Sequence, residues 1–88
     1  MNETLFWTMS NGDNILTIDL HKSSGISEAE EQFEKELYYY AKNKEKYVKV
    51  VYGVGEGILK KVIIELIKKH PLVYDYYIGD DGFCIVEL

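Results

Sequence analysis

Residues 50–61 read VVYGVGEGILKK, a β-branched run that turns into an amphipathic helix through glycines at positions 53, 55 and 57. A strand feeding directly into a helix is half of a βα unit, and the same succession occurs once more upstream. In NILTIDLH (residues 14–21) Leu16, Ile18 and Leu20 point one way, and Ile15, Thr17, Asp19 and His21 the other. This period of two belongs to a strand covered mainly on one face. KSSGI is a loop, and Ser27 with Glu30 three residues on makes a capping box. The helix behind it carries Ala29, Phe33, Leu37 and Tyr40 at helical spacing and fades near KNKEK.

YVKVVYG is a second strand. The helix opening at Gly57 carries Ile58, Leu59, Val62, Ile63, Leu66 and Ile67 as its buried stripe and must stop before Pro71. LVYDYYI and GFCIVEL are two more strands, with Gly79-Asp80-Asp81-Gly82 as a tight hairpin between them. The order β-α-β-α-β-β, with right-handed crossovers, puts both helices on one side of the sheet. The expected class is α/β, an α+β two-layer sandwich with one sheet face relatively open on the Asp19 and His21 side. Residues 1–13 form an N-terminal extension, with Phe6 and Trp7 a strap over the core edge, and residues 14–88 form the domain.

Charge narrows the function classes. The formal net charge is −5, yet every one of the ten basic residues is lysine. Lysine cannot copy the planar fork with which arginine reads guanine edges and clamps phosphates. Any nucleic-acid contact is therefore expected to be sequence-tolerant, salt-sensitive and confined to a local basic face. A single cysteine excludes an intrachain disulfide and fits a reducing cytoplasm. The N-terminal stretch has an early acid and no long apolar run, so it reads as neither a secretory signal nor a membrane span. A monomer with no membrane partner is expected.

Two motifs could carry chemistry. Asp19 and His21 leave the same face at the end of a strand, where a carboxylate can fix the imidazole tautomer and make it a general acid or base. The pair could equally offer an oxygen and a nitrogen to a divalent metal, Mg²⁺ or Mn²⁺, the one cofactor considered. The plainer alternative is a loop-starting aspartate beside an exposed histidine. At the glycine corner, Gly53, Gly55 and Gly57 allow close approach of an anion to the backbone amides opening the helix, with Lys60 and Lys61 in the first turn. The alternative there is a tight turn followed by a solvated helix face. His70 reads as a helix cap, with a cation suited to the dipole, and Cys84 as a buried structural thiol. Tyr40 is expected in the core, with Tyr38 or Tyr39 on the surface. Tyr74, Tyr76 and Tyr77 read as packing or as a base-stacking platform, and KNKEKYVK as a solvated connection with scope for phosphate contact.

From residue 14 to residue 88, in the elements just quoted, the chain resembles the Smr (small MutS-related) domain family. The shared features are an Asp-x-His strand end (Leu-Asp-x-His in the family, Ile18-Asp19-Leu20-His21 here), a Gly-x-Gly corner, an HPLV helix exit and an apolar final strand. The resemblance implies a mixed four-stranded sheet with both helices on one side, similar to the C-terminal domain of translation initiation factor three. It also implies binding of RNA or DNA, with endonucleolytic cleavage or nicking in many members, and leaves association with the ribosome open. Carried over, Asp19 and His21 match the cleavage pair, and Gly53 and Gly55 the nucleic-acid contact. Two departures stand out. Tyr52 replaces the histidine before Gly-x-Gly, and with a pKa of about 10 it is a poor base at neutral pH. It could still donate to a phosphate or stack on a base. Lys22 replaces the glycine after Asp-x-His and could add a phosphate contact. These departures leave a binding module that does not cut as the alternative to a nuclease.

Overall fold

A computed structural model of the chain describes residues 3–10, 15–53, 57–79 and 82–88. Its elements are α1 (Glu3–Ser10), β1 (Leu16–Asp19), α2 (Ile26–Lys42), β2 (Tyr47–Val51), α3 (Ile58–Lys69), β3 (Asp75–Ile78) and β4 (Phe83–Glu87). The strands form one sheet in the order β1-β2-β4-β3. β1 and β2 are parallel, with Asp19 opposite Val51, while β4 runs antiparallel to both β2 and β3. The sheet is therefore mixed, and α2 and α3 share one of its faces, as the crossover rule requires.

Strand parity decides which side chains meet those helices. Ile18 and Leu20, Val48 and Val50, and Cys84 and Val86 are all fully buried, and they join Ala29, Phe33, Leu37, Ile63 and Ile67 in one core cluster. Tyr40, Leu59, Leu66 and Tyr76 pack against its margin. Ile58, expected in the stripe, is 56% exposed, because it stands at the first position of α3 before the helix has settled onto the sheet.

The capping box at Ser27 does not form. α2 begins two residues earlier, at Ile26, with Gly25 as an extended N-cap that makes no side-chain hydrogen bond. Glu28 is engaged instead by the Ser24 hydroxyl. At the other end the N–H of Lys44 donates to the Ala41 carbonyl and that of Glu45 to Tyr40. This is the double closure of a Schellman motif, with Lys44 at φ 61° where glycine is usual.

β3 starts at Asp75 rather than at Leu72 because the preceding residues are used in a turn. His70 occupies the C-cap of α3, its carbonyl accepts from Val73, and its Nδ1 accepts from the Leu72 N–H at 3.1 Å. Nε2 then carries the ring proton and meets Glu34 of α2 at 2.8 Å. His70 is thus a cap that also ties two helices together through a buried ring.

The face opposite α2 and α3 is less open than expected. Phe6 of α1 is 3% exposed and stacks on Tyr77 at 4.2 Å and on Phe83 at 5.8 Å between ring centroids. Tyr77, Phe83 and Ile85 belong to this second face by register. The strap reading of Phe6 is therefore realised as a helix over the β3–β4 half, and the β1–β2 half carries Thr17, Asp19 and Lys49. Of the hairpin, Asp80 and Asp81 lie outside the described residues.

Candidate active site

Parallel pairing brings the C-terminal ends of β1 and β2 side by side, and both motifs stand there. The Leu20 N–H continues the ladder by donating to the Val51 carbonyl at 2.7 Å. Beyond it the chain turns, with the Ser23 N–H donating to the Leu20 carbonyl at 3.1 Å, and this turn presents His21 and Lys22 to solvent. A Cβ built on Gly53 would lie 3.3 Å from the His21 Cβ, so the Asp-x-His strand end and the glycine corner are direct neighbours.

The pair itself is closed by two hydrogen bonds. The His21 backbone N–H donates to Asp19 Oδ1 at 3.2 Å, and the ring Nδ1 meets the same oxygen. Both side chains keep nearly half of their surface in solvent, 44% for His21 and 48% for Asp19. Desolvation raises the Asp19 pKa, but the hydrogen bonds from the His21 ring and backbone, with the nearby charges of His21 and Lys22, hold it below the ordinary carboxylate range. An ionised Asp19 facing Nδ1 fixes the ring proton there and leaves Nε2 directed outward, as a proton-transfer histidine requires.

One contributor escaped the sequence reading. Gln32 of α2 donates to the Asp19 carbonyl at 3.1 Å and to Glu36 at 2.7 Å, and its Oε1 accepts from Ser23 at 3.4 Å. It fastens the end of β1 and the following turn to the helix. The signal was present: with Ala29, Phe33 and Leu37 in the stripe, Gln32 and Glu36 occupy interior helical positions with polar side chains.

Upstream of the helix start, where the free amides are expected, the corner is tied to the β3–β4 hairpin. The Gly82 carbonyl accepts the N–H of Tyr52 at 2.9 Å and of Gly53 at 3.0 Å. A Cβ on Gly82 would fall 2.7 Å from the Gly53 carbonyl carbon. Gly53 and Gly82, at φ 88° and 78°, let two backbones touch where any side chain would part them. The Gly53 amide is therefore committed to the hairpin and is not available to an anion. Gly57, also left-handed at φ 85°, is the N-cap of α3, and Lys60 and Lys61 lie in the first turn behind it. Gly55 lies outside the described residues.

Tyr52 corrects the sequence reading more sharply. It shares the parity of Val48 and Val50 and turns into the core, 4% exposed, with its hydroxyl donating to the Phe83 carbonyl at 3.0 Å. Burial, with a smaller effect of Cys84, pushes its phenol well above the ordinary tyrosine value. It neither stacks on a base nor reaches a phosphate from this position. Cys84 is the expected structural thiol, with a pKa pushed up to about 12 by burial. The tyrosine platform is dispersed: Tyr74 is exposed, Tyr76 joins the core margin and Tyr77 lies under Phe6. No group of three His, Cys, Asp or Glu side chains able to hold a metal is found among the described residues. No described helix is long and apolar enough to cross a membrane.

Comparison with known proteins agrees with this architecture. The crystal structure of the Smr domain of Thermus thermophilus MutS2 superposes with a TM-score of 0.77, covering 84% of this chain and 98% of that one at 19% identity, which speaks for the fold. Endonuclease MutS2 of Clostridium tetani is 42% identical over 48 residues, and that of Clostridium beijerinckii 41% identical over 46. These alignments take in 49% and 47% of this chain but only 6% of each relative. The sequence profile of the Smr domain matches residues 18–88, from the middle of β1 through both motifs to the last residue, and the chain belongs to the Smr domain family.

Proposed function

We propose that this chain is a nucleic-acid-binding nuclease domain that cleaves or nicks phosphodiester bonds of RNA or DNA with Asp19 and His21. The observation that carries the reading is the closed carboxylate–imidazole pair, exposed at the end of β1 and set against Gly53. His21 Nε2 takes the proton from the attacking oxygen, a ribose 2′-hydroxyl in RNA or a water in DNA. Asp19, hydrogen-bonded to Nδ1, stabilises the imidazolium that results. The attacking oxygen bonds to phosphorus, the bridging oxygen leaves, and a proton is returned to it. Lys22 beside the pair, with Lys60 and Lys61 behind the corner, supplies positive charge for the phosphate. The endonuclease name of the two clostridial relatives points the same way.

The described residues offer Asp19 and His21 as metal donors and no third, so they build no cage of their own. Mg²⁺ or Mn²⁺ commonly binds through one or two carboxylates together with substrate phosphates. The steps above run through the side chains alone, and metal dependence is an arm of the test.

A second reading, a domain that binds nucleic acid or a ribonucleoprotein without cutting, is favoured by Tyr52. Its buried, hydrogen-bonded phenol leaves the corner without a second proton-transfer group. Purified protein incubated with labelled single-stranded RNA, structured RNA and supercoiled DNA, with and without Mg²⁺ or Mn²⁺, separates the two. The nuclease reading expects cleavage of at least one substrate that falls about 10²- to 10⁴-fold in His21→Ala. Intact substrates, with salt-dependent binding weakened by Lys60→Glu/Lys61→Glu, would replace it with the binding module.

A further inference from the structure

Lys49 is a cation that no described carboxylate neutralises. It lies in the middle of β2, the strand between β1 and β4, with Thr17 and Ile85 as register partners. Val48 and Val50 on either side are buried against the helices, so Lys49 leaves the opposite face, the one that carries Asp19. Lysine is among the residues depleted in strands. Its ammonium stands 4.5 Å from the centroid of the Phe83 ring, a cation–π contact that holds the charge in a half-buried place. No carboxylate pairs with it among the described residues.

Position gives the charge a direction. Thr17 sits opposite Lys49, and Asp19 follows two residues later on the same face of β1. The two levels are separated by one pleat repeat, about 6.7 Å along the strands. Phe6 of α1 closes the face over Tyr77 and Phe83, whereas Thr17 and Asp19 are exposed, so among the described residues the open path from the Asp19–His21 pair runs along β1, past Lys49. On a chain of net charge −5, an ammonium two strand positions from the level of Asp19, with no described carboxylate paired to it, is suited to a polyanion threaded along that path.

We propose that Lys49 binds a backbone phosphate of the nucleic-acid strand next to the one held at Asp19 and His21, an inference that rests on the nuclease reading. The sheet face between β1 and α1 is then the track of the substrate strand, and Phe83 is the rest that orients the ammonium.

The test uses fluorescence anisotropy of labelled single-stranded RNA and DNA of one sequence, as separate arms, across a salt series. A His21→Ala background keeps the probes intact. Adding Lys49→Gln, or Lys49→Met to keep the stem over Phe83, is expected to weaken binding several-fold at low salt. It also lowers the slope of log K against log salt by about 0.7, the loss of one single-strand phosphate contact. Lys49→Arg restores both, and thermal midpoints stay level. Unchanged affinity and slope in both neutral variants overturn the phosphate site alone. Absence of binding in the His21→Ala protein at every salt concentration overturns this inference and the nuclease reading together.

Discussion

At position 52 the family's corner histidine is replaced by a tyrosine whose hydroxyl donates to the Phe83 carbonyl and whose ring belongs to the core. The substitution therefore acts on packing, and in the proposed reaction proton transfer is left to His21, whose Nδ1 meets Asp19. Strand parity carried this information: Val48, Val50 and residue 52 lie on one side of β2 and its extension, so an inward tyrosine follows from the alternation. The motif drew attention to position 52 as a nucleic-acid contact, and the parity argues against it. We expect Tyr52→Phe to lose about 1 kcal/mol in chemical denaturation, a modest cost because the Phe83 carbonyl keeps the Gly79 N–H at 3.0 Å. Its cleavage rate should equal that of wild type. A drop in rate with unchanged stability would show that the phenol takes part in the chemistry.

Between elements, the decisive contact is that of two backbones. Gly82, at the start of β4, touches Gly53, at the end of β2, and its carbonyl gathers the N–H groups of residues 52 and 53. The glycine corner is thus held from the hairpin side, while Gln32 holds the Asp19 side from α2. Periodicity made α2, α3 and all four strands legible, because a stripe of apolar residues at spacing two or 3.6 has few ways to be buried. Contacts such as Gly53–Gly82 join residues distant in sequence and leave no local pattern. The start of α2 was misread for a related reason: Ser24 and Glu28 satisfy one another, and Ser27 is left exposed inside the helix. Gly82→Ala should destabilise the fold by about 2–4 kcal/mol, combining a left-handed backbone with a clash against backbone atoms that cannot yield cheaply. Thermal or chemical denaturation checks this. A variant as stable as wild type would mean that the close approach at the corner is not required.

For the molecule as a whole, α1 adds to a two-layer sandwich a cover over the β3–β4 half of the face opposite α2 and α3. The helix was not legible: residues 3–10 have no strong apolar stripe, and only Phe6 and Trp7 hinted at packing. What fixes Phe6 is the aromatic surface of Tyr77 and Phe83, assembled from β3 and β4 far along the chain. Phe6→Ala should cost about 3 kcal/mol by removing a nearly buried aromatic ring. Cleavage measured well below the lowered midpoint should persist, since no described side chain of α1 bonds to the Asp19–His21 pair. Unaltered stability would show that the strap does not hold the face.

The central claim, that Asp19 and His21 act as one proton-transfer unit, is tested most directly by a double-mutant cycle on cleavage rate. Wild type, Asp19→Asn, His21→Ala and the double variant are compared on the most rapidly cut substrate under single-turnover conditions. Groups that act together lose far less than the sum of their separate effects. The expected result is a large loss in His21→Ala, a smaller one in Asp19→Asn, and a double variant no slower than His21→Ala. Fully additive losses, or a His21→Ala protein that cuts at the wild-type rate, would contradict the account.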